Sequence, residues 1–121
     1  MMWTDKAIIE WHKKTFPDLD VNSQVEKTSE EIREYIMAVV NNEGKERIRE
    51  EIADVYISCL ALKYRFGIDL MGCFLMEDIN RERWGKEIDR KMDINIKRKW
   101  VKVNGVYRHK DIDTDKGMYY K

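Results

Sequence analysis

The chain has 121 residues, 38% of them charged, and its 23 acidic and 23 basic side chains cancel to a formal net charge of zero. That length suits one domain with a modest core. The charge balance excludes a general nucleic-acid or membrane-surface binder, which carries a basic excess, and the most apolar run, residues 55–62, is far short of the ~20 residues of a membrane span.

A composition poor in Gly and Pro and rich in Glu, Lys, Arg, Ile and Met favours helix. A first helix is predicted over residues 4–15 and ends before Pro17, which pushes Phe16 out of helical geometry. Ser23-Gln24-Val25-Glu26 reads as a capping box opening a second helix. Its apolar stripe runs through Val25, Ile32, Tyr35, Ile36, Val39 and Val40. Asn41-Asn42-Glu43-Gly44 is a turn. A third helix follows over residues 45–66, with Gly67 as its left-handed stop. Asp69 can cap a fourth helix through Leu70, Met71, Phe74, Leu75 and Ile79. Gly85 either breaks that helix or is absorbed by it, and helix extends to about residue 99. Residues 100–103 and 106–109 alternate around Asn104-Gly105, a two-residue hairpin turn. Residues 111–121 read as a polar tail. Asp111, Asp113 and Asp115 do not make a calcium loop, because Lys116 stands where the glycine belongs. The expectation is an all-α antiparallel bundle of four to five helices with a small C-terminal β-hairpin, in a single domain over residues 1–121.

Cys59 and Cys73 each lie among apolar neighbours, with no CxxC, signal-peptide or lipidation pattern. They read as buried reduced thiols in a cytoplasmic protein.

Two acidic half-turns carry the chemistry. Glu30-Glu31-Ile32-Arg33-Glu34 is echoed by Glu50-Glu51-Ile52-Ala53-Asp54, each placing two carboxylates at i and i+3. The third helix is apolar nearly all round from Val55 to Leu62, and Asp54 shares a side with Ala53, Ile57 and Ala61. A carboxylate there needs a partner or a metal. Glu31 and Glu34 read alone as a solvated face, but an antiparallel crossing would bring them to Glu51 and Asp54. Four carboxylates meeting repel unless a cation sits among them, and Mg²⁺ is the hard ion that oxygen ligands suit. Glu30 and Glu50 read as charge near helix N-termini. Lys91, Asn95 and Arg98, at i, i+4 and i+7, form one polar stripe whose groups suit phosphate oxygens. Trp3, Trp11, Trp84 and Tyr35 can stack on a nucleobase, although core packing is the simpler role for each. His12 and His109 lack metal-ligand spacing, which disfavours a di-iron bundle.

The ordered set Glu30-Glu31-Ile32-Arg33-Glu34, Glu51-Ile52-Ala53-Asp54 and Lys91 through Asn95 to Arg98 resembles the MazG-like all-α nucleoside triphosphate pyrophosphohydrolases of bacteria and phages. The lead-in Trp11-His12, Phe16-Pro17-Asp18, Gln24 and Lys27 and the tail Arg98-Lys99-Trp100 to Arg108-His109 also look like that family. The resemblance implies Mg²⁺, with Mn²⁺ as a substitute, held by Glu31, Glu34, Glu51 and Asp54. It implies hydrolysis of a nucleoside triphosphate, a dNTP or a non-standard NTP, to monophosphate and pyrophosphate, with those carboxylates catalytic and Lys91, Asn95 and Arg98 on the phosphates. The stretch before Lys91 is longer than in compact members, which leaves Asn80 and Arg83 as a competing phosphate pair. A homodimer or dimer of dimers is implied, with no nucleic-acid or membrane partner. The alternatives are a phosphoribosyl-ATP pyrophosphohydrolase activity and a non-catalytic helical interaction module.

Overall fold

The computed structural model describes residues 2–71, 79–110 and 119–120. Among these, the chain forms helices α1 (Asp5–Thr15), α2 (Val21–Val40), α3 (Lys45–Phe66) and α4 (Arg81–Asn95), then strands β1 (Lys99–Val103), β2 (Val106–Lys110) and β3 (Tyr119–Tyr120). It is the expected all-α bundle with a C-terminal hairpin. No helix is long and apolar enough to cross a membrane among the described residues.

Helix α3 is the axis of the molecule. Ile52, Ala53 and the run from Val55 to Leu62 are all buried, and Ile8, Ile9, Ile88 and Met92 close around them from α1 and α4. Each large aliphatic side chain among them contributes roughly 1.5–3 kcal/mol by leaving water. Gly67 ends α3 in the left-handed region at φ 73°, with its N–H on the Lys63 carbonyl and that of Ile68 on Leu62. This is the paired C-terminal closure that glycine permits.

Helix α2 returns along α3 after the turn at residues 41–44. Gln24 reaches Ser58 while Glu31 lies beside Glu51 and Asp54, so the two helices run antiparallel. One face of α2 packs inward through Gln24, Thr28, Glu31 and Ala38, and the opposite face leaves Val25, Ile36, Val39 and Val40 exposed.

Two boundaries differ from expectation. Helix α2 starts at Val21 because the Asp20 carboxylate accepts from the Ser23 N–H at 2.8 Å. Asp20 therefore takes the cap expected of Ser23, whose hydroxyl instead donates to the Gly105 carbonyl at 2.7 Å. Helix α4 absorbs Gly85 with a kink at Trp84, and it ends at Asn95 rather than near residue 99. The extended chain is needed from Lys99 because β1 pairs along its whole length with β2. The expected helix around residues 70–79 and Cys73 fall mostly or wholly outside the described residues. Within them, the Asp69 carboxylate accepts from the Met71 N–H at 2.9 Å.

The hairpin turn is as predicted, with Asn104 and Gly105 both at positive φ, 52° and 82°. Tyr119 and Tyr120 add a short antiparallel strand to β2, so part of the tail is structured; residues 111–118 lie outside the description. The hairpin folds back on α2. Arg108 forks onto Glu30 with two contacts of 2.7 Å. Lys102 and Tyr107 both donate to Asp18 in the loop before α2. Glu30 is thus a mid-helix anchor for the hairpin, not N-terminal helix charge.

Candidate functional site

The structure gathers three of the four expected carboxylates. One oxygen each from Glu31, Glu51 and Asp54 lies within 4.8 Å of the others. Glu51 is completely buried and Glu31 is 3% exposed. Glu34 remains outside this group, one turn along α2 on the side where its charge acts on Arg108. The reason is angular. Positions three apart on a helix sit about 60° apart around its axis, so Glu34, whose Oε2 is also buried, meets its surroundings at a different angle from Glu31.

Each carboxylate in the group has a cation beside it, and Arg47 also reaches Glu43 and Glu50 at 3.7 Å. Lys27 approaches Glu31 at 3.2 Å, Arg47 approaches Glu51 at 2.9 Å, and Lys91 approaches Asp54 at 3.3 Å. The first two pairs are i, i+4 neighbours, so each acidic motif carries its own cation one turn upstream. Lys27-x-x-x-Glu31 and Arg47-x-x-x-Glu51 repeat in the sequence. That repeat was the available signal for these two cations, beyond the acidic echo itself.

Glu31 and Asp54 open onto a cavity of about 70 Å³. Asn95 and Arg98 line it, with the Arg98 Nη1 donating to the Asn95 Oδ1 at 3.1 Å. Lys91 reaches Asp54 from α4 but does not line the cavity. Asn80 and Arg83 are elsewhere: Asn80 caps α4 by accepting from the Arg83 N–H, and the Arg83 guanidinium lies over the Trp84 ring. The far wall is aromatic, built from Trp11 and Phe16 at the end of α1 and from Trp100 and Tyr107 on the hairpin. The rings meet edge to face or tilted, with centroids 4.6 to 6.0 Å apart. The floor is polar and fully bonded within itself: the Gln24 amide donates to the Ser58 carbonyl, and Thr28 and Ser58 share a hydroxyl contact of 2.9 Å.

Of the aromatic residues singled out in the sequence, only Trp11 reaches the cavity. Trp3 is core, its indole N–H on Asp93, and Tyr35 and Trp84 pack against the core. Phe16, Trp100 and Tyr107 had no spacing pattern to mark them, since the site joins them across some ninety positions of chain.

Two histidines border this region. His12 lines the cavity and is held neutral, its pKa lowered to about 3 by burial and by the adjacent Arg65. His109, against Trp100, is lowered to about 4, chiefly by burial and then by Arg98, Lys27 and Lys91. Neither belongs to the carboxylate group, as the sequence implied.

Neither a protein-family model, nor a curated protein, nor a solved structure matches the chain.

Proposed function

We propose that this chain is a Mg²⁺-dependent nucleoside triphosphate pyrophosphohydrolase of the MazG-like type, releasing a nucleoside monophosphate and pyrophosphate. One observation carries the reading: three buried or half-buried acidic oxygens within 4.8 Å adjoin a cavity that offers Asn95 and Arg98 on one side and an aromatic wall on the other. The donor set is all oxygen and all carboxylate, which suits Mg²⁺ or Mn²⁺. Glu31, Glu51 and Asp54 would hold the ion, and Glu34 is the neighbouring acid on α2. Bound there, the ion offsets polyphosphate charge and acidifies a coordinated water.

The remaining work falls to side chains. Arg98 donates a planar fork to phosphate oxygens and Asn95 holds that fork in place through its Oδ1. Lys91 balances Asp54 and supplies a point charge to the phosphates. Trp11, Phe16, Trp100 and Tyr107 offer apolar faces to a base and exclude water.

The test is a panel of dNTPs and non-standard NTPs with Mg²⁺, with products separated as pyrophosphate or orthophosphate, beside Asp54→Asn. Pyrophosphate release that Asp54→Asn abolishes supports the reading; orthophosphate release or no turnover overturns it. Phosphoribosyl-ATP belongs in the same panel, since its cleavage would select that alternative.

The ion pairs of the three carboxylates with Lys27, Arg47 and Lys91 favour a second reading, a non-catalytic module whose acidic residues serve an ion-pair network. Mg²⁺ separates the two readings. A metal site raises the melting temperature with added Mg²⁺ in the wild type but not in Glu51→Gln/Asp54→Asn. An ion-pair network shows no such rise.

We also propose a homodimer or dimer of dimers, supported by the exposed Val25, Ile36, Val39 and Val40 on α2. A monomer in light scattering would overturn it.

A further inference from the structure

We propose that the open groove between the first turns of α3 and α4 takes the β- and γ-phosphates of a bound nucleoside triphosphate, the two that leave as pyrophosphate. The inference rests on the pyrophosphohydrolase reading, and it adds a binding site for the leaving group.

The groove has a volume of about 320 Å³. Two rows of cations line it. Lys45 and Arg49 are i, i+4 neighbours on α3, and Lys86 and Arg90 are i, i+4 neighbours on α4. Like charges at that spacing weaken a helix, so the rows do not stabilise the helices that carry them. Lys91 stands at the border with the carboxylate group, since it lines the groove and also approaches Asp54 at 3.3 Å.

Glu46, Glu50 and Glu87 share the lining. Two of them have an arginine beside them: Arg90 approaches Glu46 at 4.0 Å and Arg47 approaches Glu50 at 3.7 Å. Lys45, Arg49 and Lys86 make no ion pair among the described residues. These three cations outnumber Glu87, so the groove keeps a positive excess. A compact polyanion meets several of these charges at once and displaces no existing pair. Arg49 can fork onto phosphate oxygens, and the lysines supply point charges.

Size separates the parts of the substrate. The aromatic cavity, at about 70 Å³, falls well below the roughly 300–1,000 Å³ of pockets that enclose a whole drug-sized ligand. It has room for a ring and leaves the phosphates outside. The α-phosphate then belongs at the carboxylates with Asn95 and Arg98, and the outer two pass Lys91 into the groove.

The experiment measures binding in Mg²⁺ by titration calorimetry. The probes are α,β-methylene triphosphates, which resist cleavage, and the monophosphates of deoxyadenosine, deoxyguanosine, deoxycytidine and deoxyuridine. Arg49→Gln/Lys86→Gln is set beside Lys6→Gln/Lys13→Gln, which removes the same charge from α1; all four residues are exposed. The groove variant is expected to weaken the best-bound triphosphate about tenfold and to leave its monophosphate within about twofold. The α1 variant is expected to change neither. A triphosphate affinity unchanged in Arg49→Gln/Lys86→Gln overturns the proposal while the nucleotide reading stands. So does a loss shared equally by monophosphate, which marks an altered fold, or by the α1 variant, which marks a general field. Wild-type protein that binds no nucleotide overturns the pyrophosphohydrolase reading, and this inference with it.

Discussion

The two acidic half-turns are near copies in sequence, yet they do different work. On α3, Glu51 and Asp54 both belong to the carboxylate group; on α2, Glu31 joins it and Glu34 does not. The difference lies in what surrounds each helix. Helix α3 is packed by α1, α2 and α4, so residues about 60° apart still face protein. Helix α2 meets α3 along one face and leaves the other open. The same spacing therefore gives the carboxylate group two members from the central helix and one from the peripheral helix.

Substitution can break or sharpen that contrast, and four outcomes are expected. Glu51→Gln or Asp54→Asn should cut Mg²⁺-dependent hydrolysis about 100-fold or more and abolish the Mg²⁺-induced rise in melting temperature. Glu31→Gln should follow them closely, whereas Glu34→Gln should cost about tenfold or less. Equal losses at Glu31 and Glu34, measured as kcat/KM, would erase the distinction between the two helices.

Next in size is Lys91→Ala. It should raise the KM for nucleotide about tenfold while changing the Mg²⁺ midpoint by less than about threefold. Matching losses would show that Lys91 serves Asp54 alone.

Acid should act on the aromatic side of the cavity through its two histidines. His12 and His109 ordinarily titrate near 6.5, and the fold depresses them to about 3 and about 4. As pH falls below 6.5 the unfolded chain takes up protons that the folded chain refuses, so stability declines from there toward pH 4. The two histidines contribute to the slope between pH 6.5 and 5. His12→Asn should flatten the melting temperature against pH in that window; an unchanged slope would place the loss elsewhere.

The smallest effect is expected at the hairpin anchor. Arg108→Ala removes the fork on Glu30, a partly exposed pair contributing about 1 kcal/mol, and should lower the melting temperature by about 4 °C. The Arg108 guanidinium holds the Glu30 carboxyl below its usual range. This contribution is therefore complete above the ordinary carboxylate range and is lost as pH drops through the depressed value.

Elements governed by neighbours a few residues apart were legible. The span of α3 and its glycine stop, and the Asn104-Gly105 turn, follow from local backbone preferences. The N-cap of α2 was misplaced because Asp20 and Ser23 are both good caps, and Ser23 is drawn away by the Gly105 carbonyl 82 positions later. The end of α4 shifted for a similar reason, since β2 claims Lys99 as a strand partner. At the site, the acids and the stripe of Lys91, Asn95 and Arg98 were readable from helical spacing, and of the rings of the wall only Trp11 was singled out.

The order of residues determined a central apolar helix bearing two acids, a second helix with a matching motif, and a hairpin at the end. Helical periodicity and turn chemistry act within a few positions, so a single segment carries that information. Tertiary packing decided that Glu31 meets Glu51 and Asp54, that Lys27, Arg47 and Lys91 come beside these acids, and that α1 and the hairpin close an aromatic wall beside them. Those outcomes depend on how whole helices rotate and cross, which is set by burial summed over every element at once.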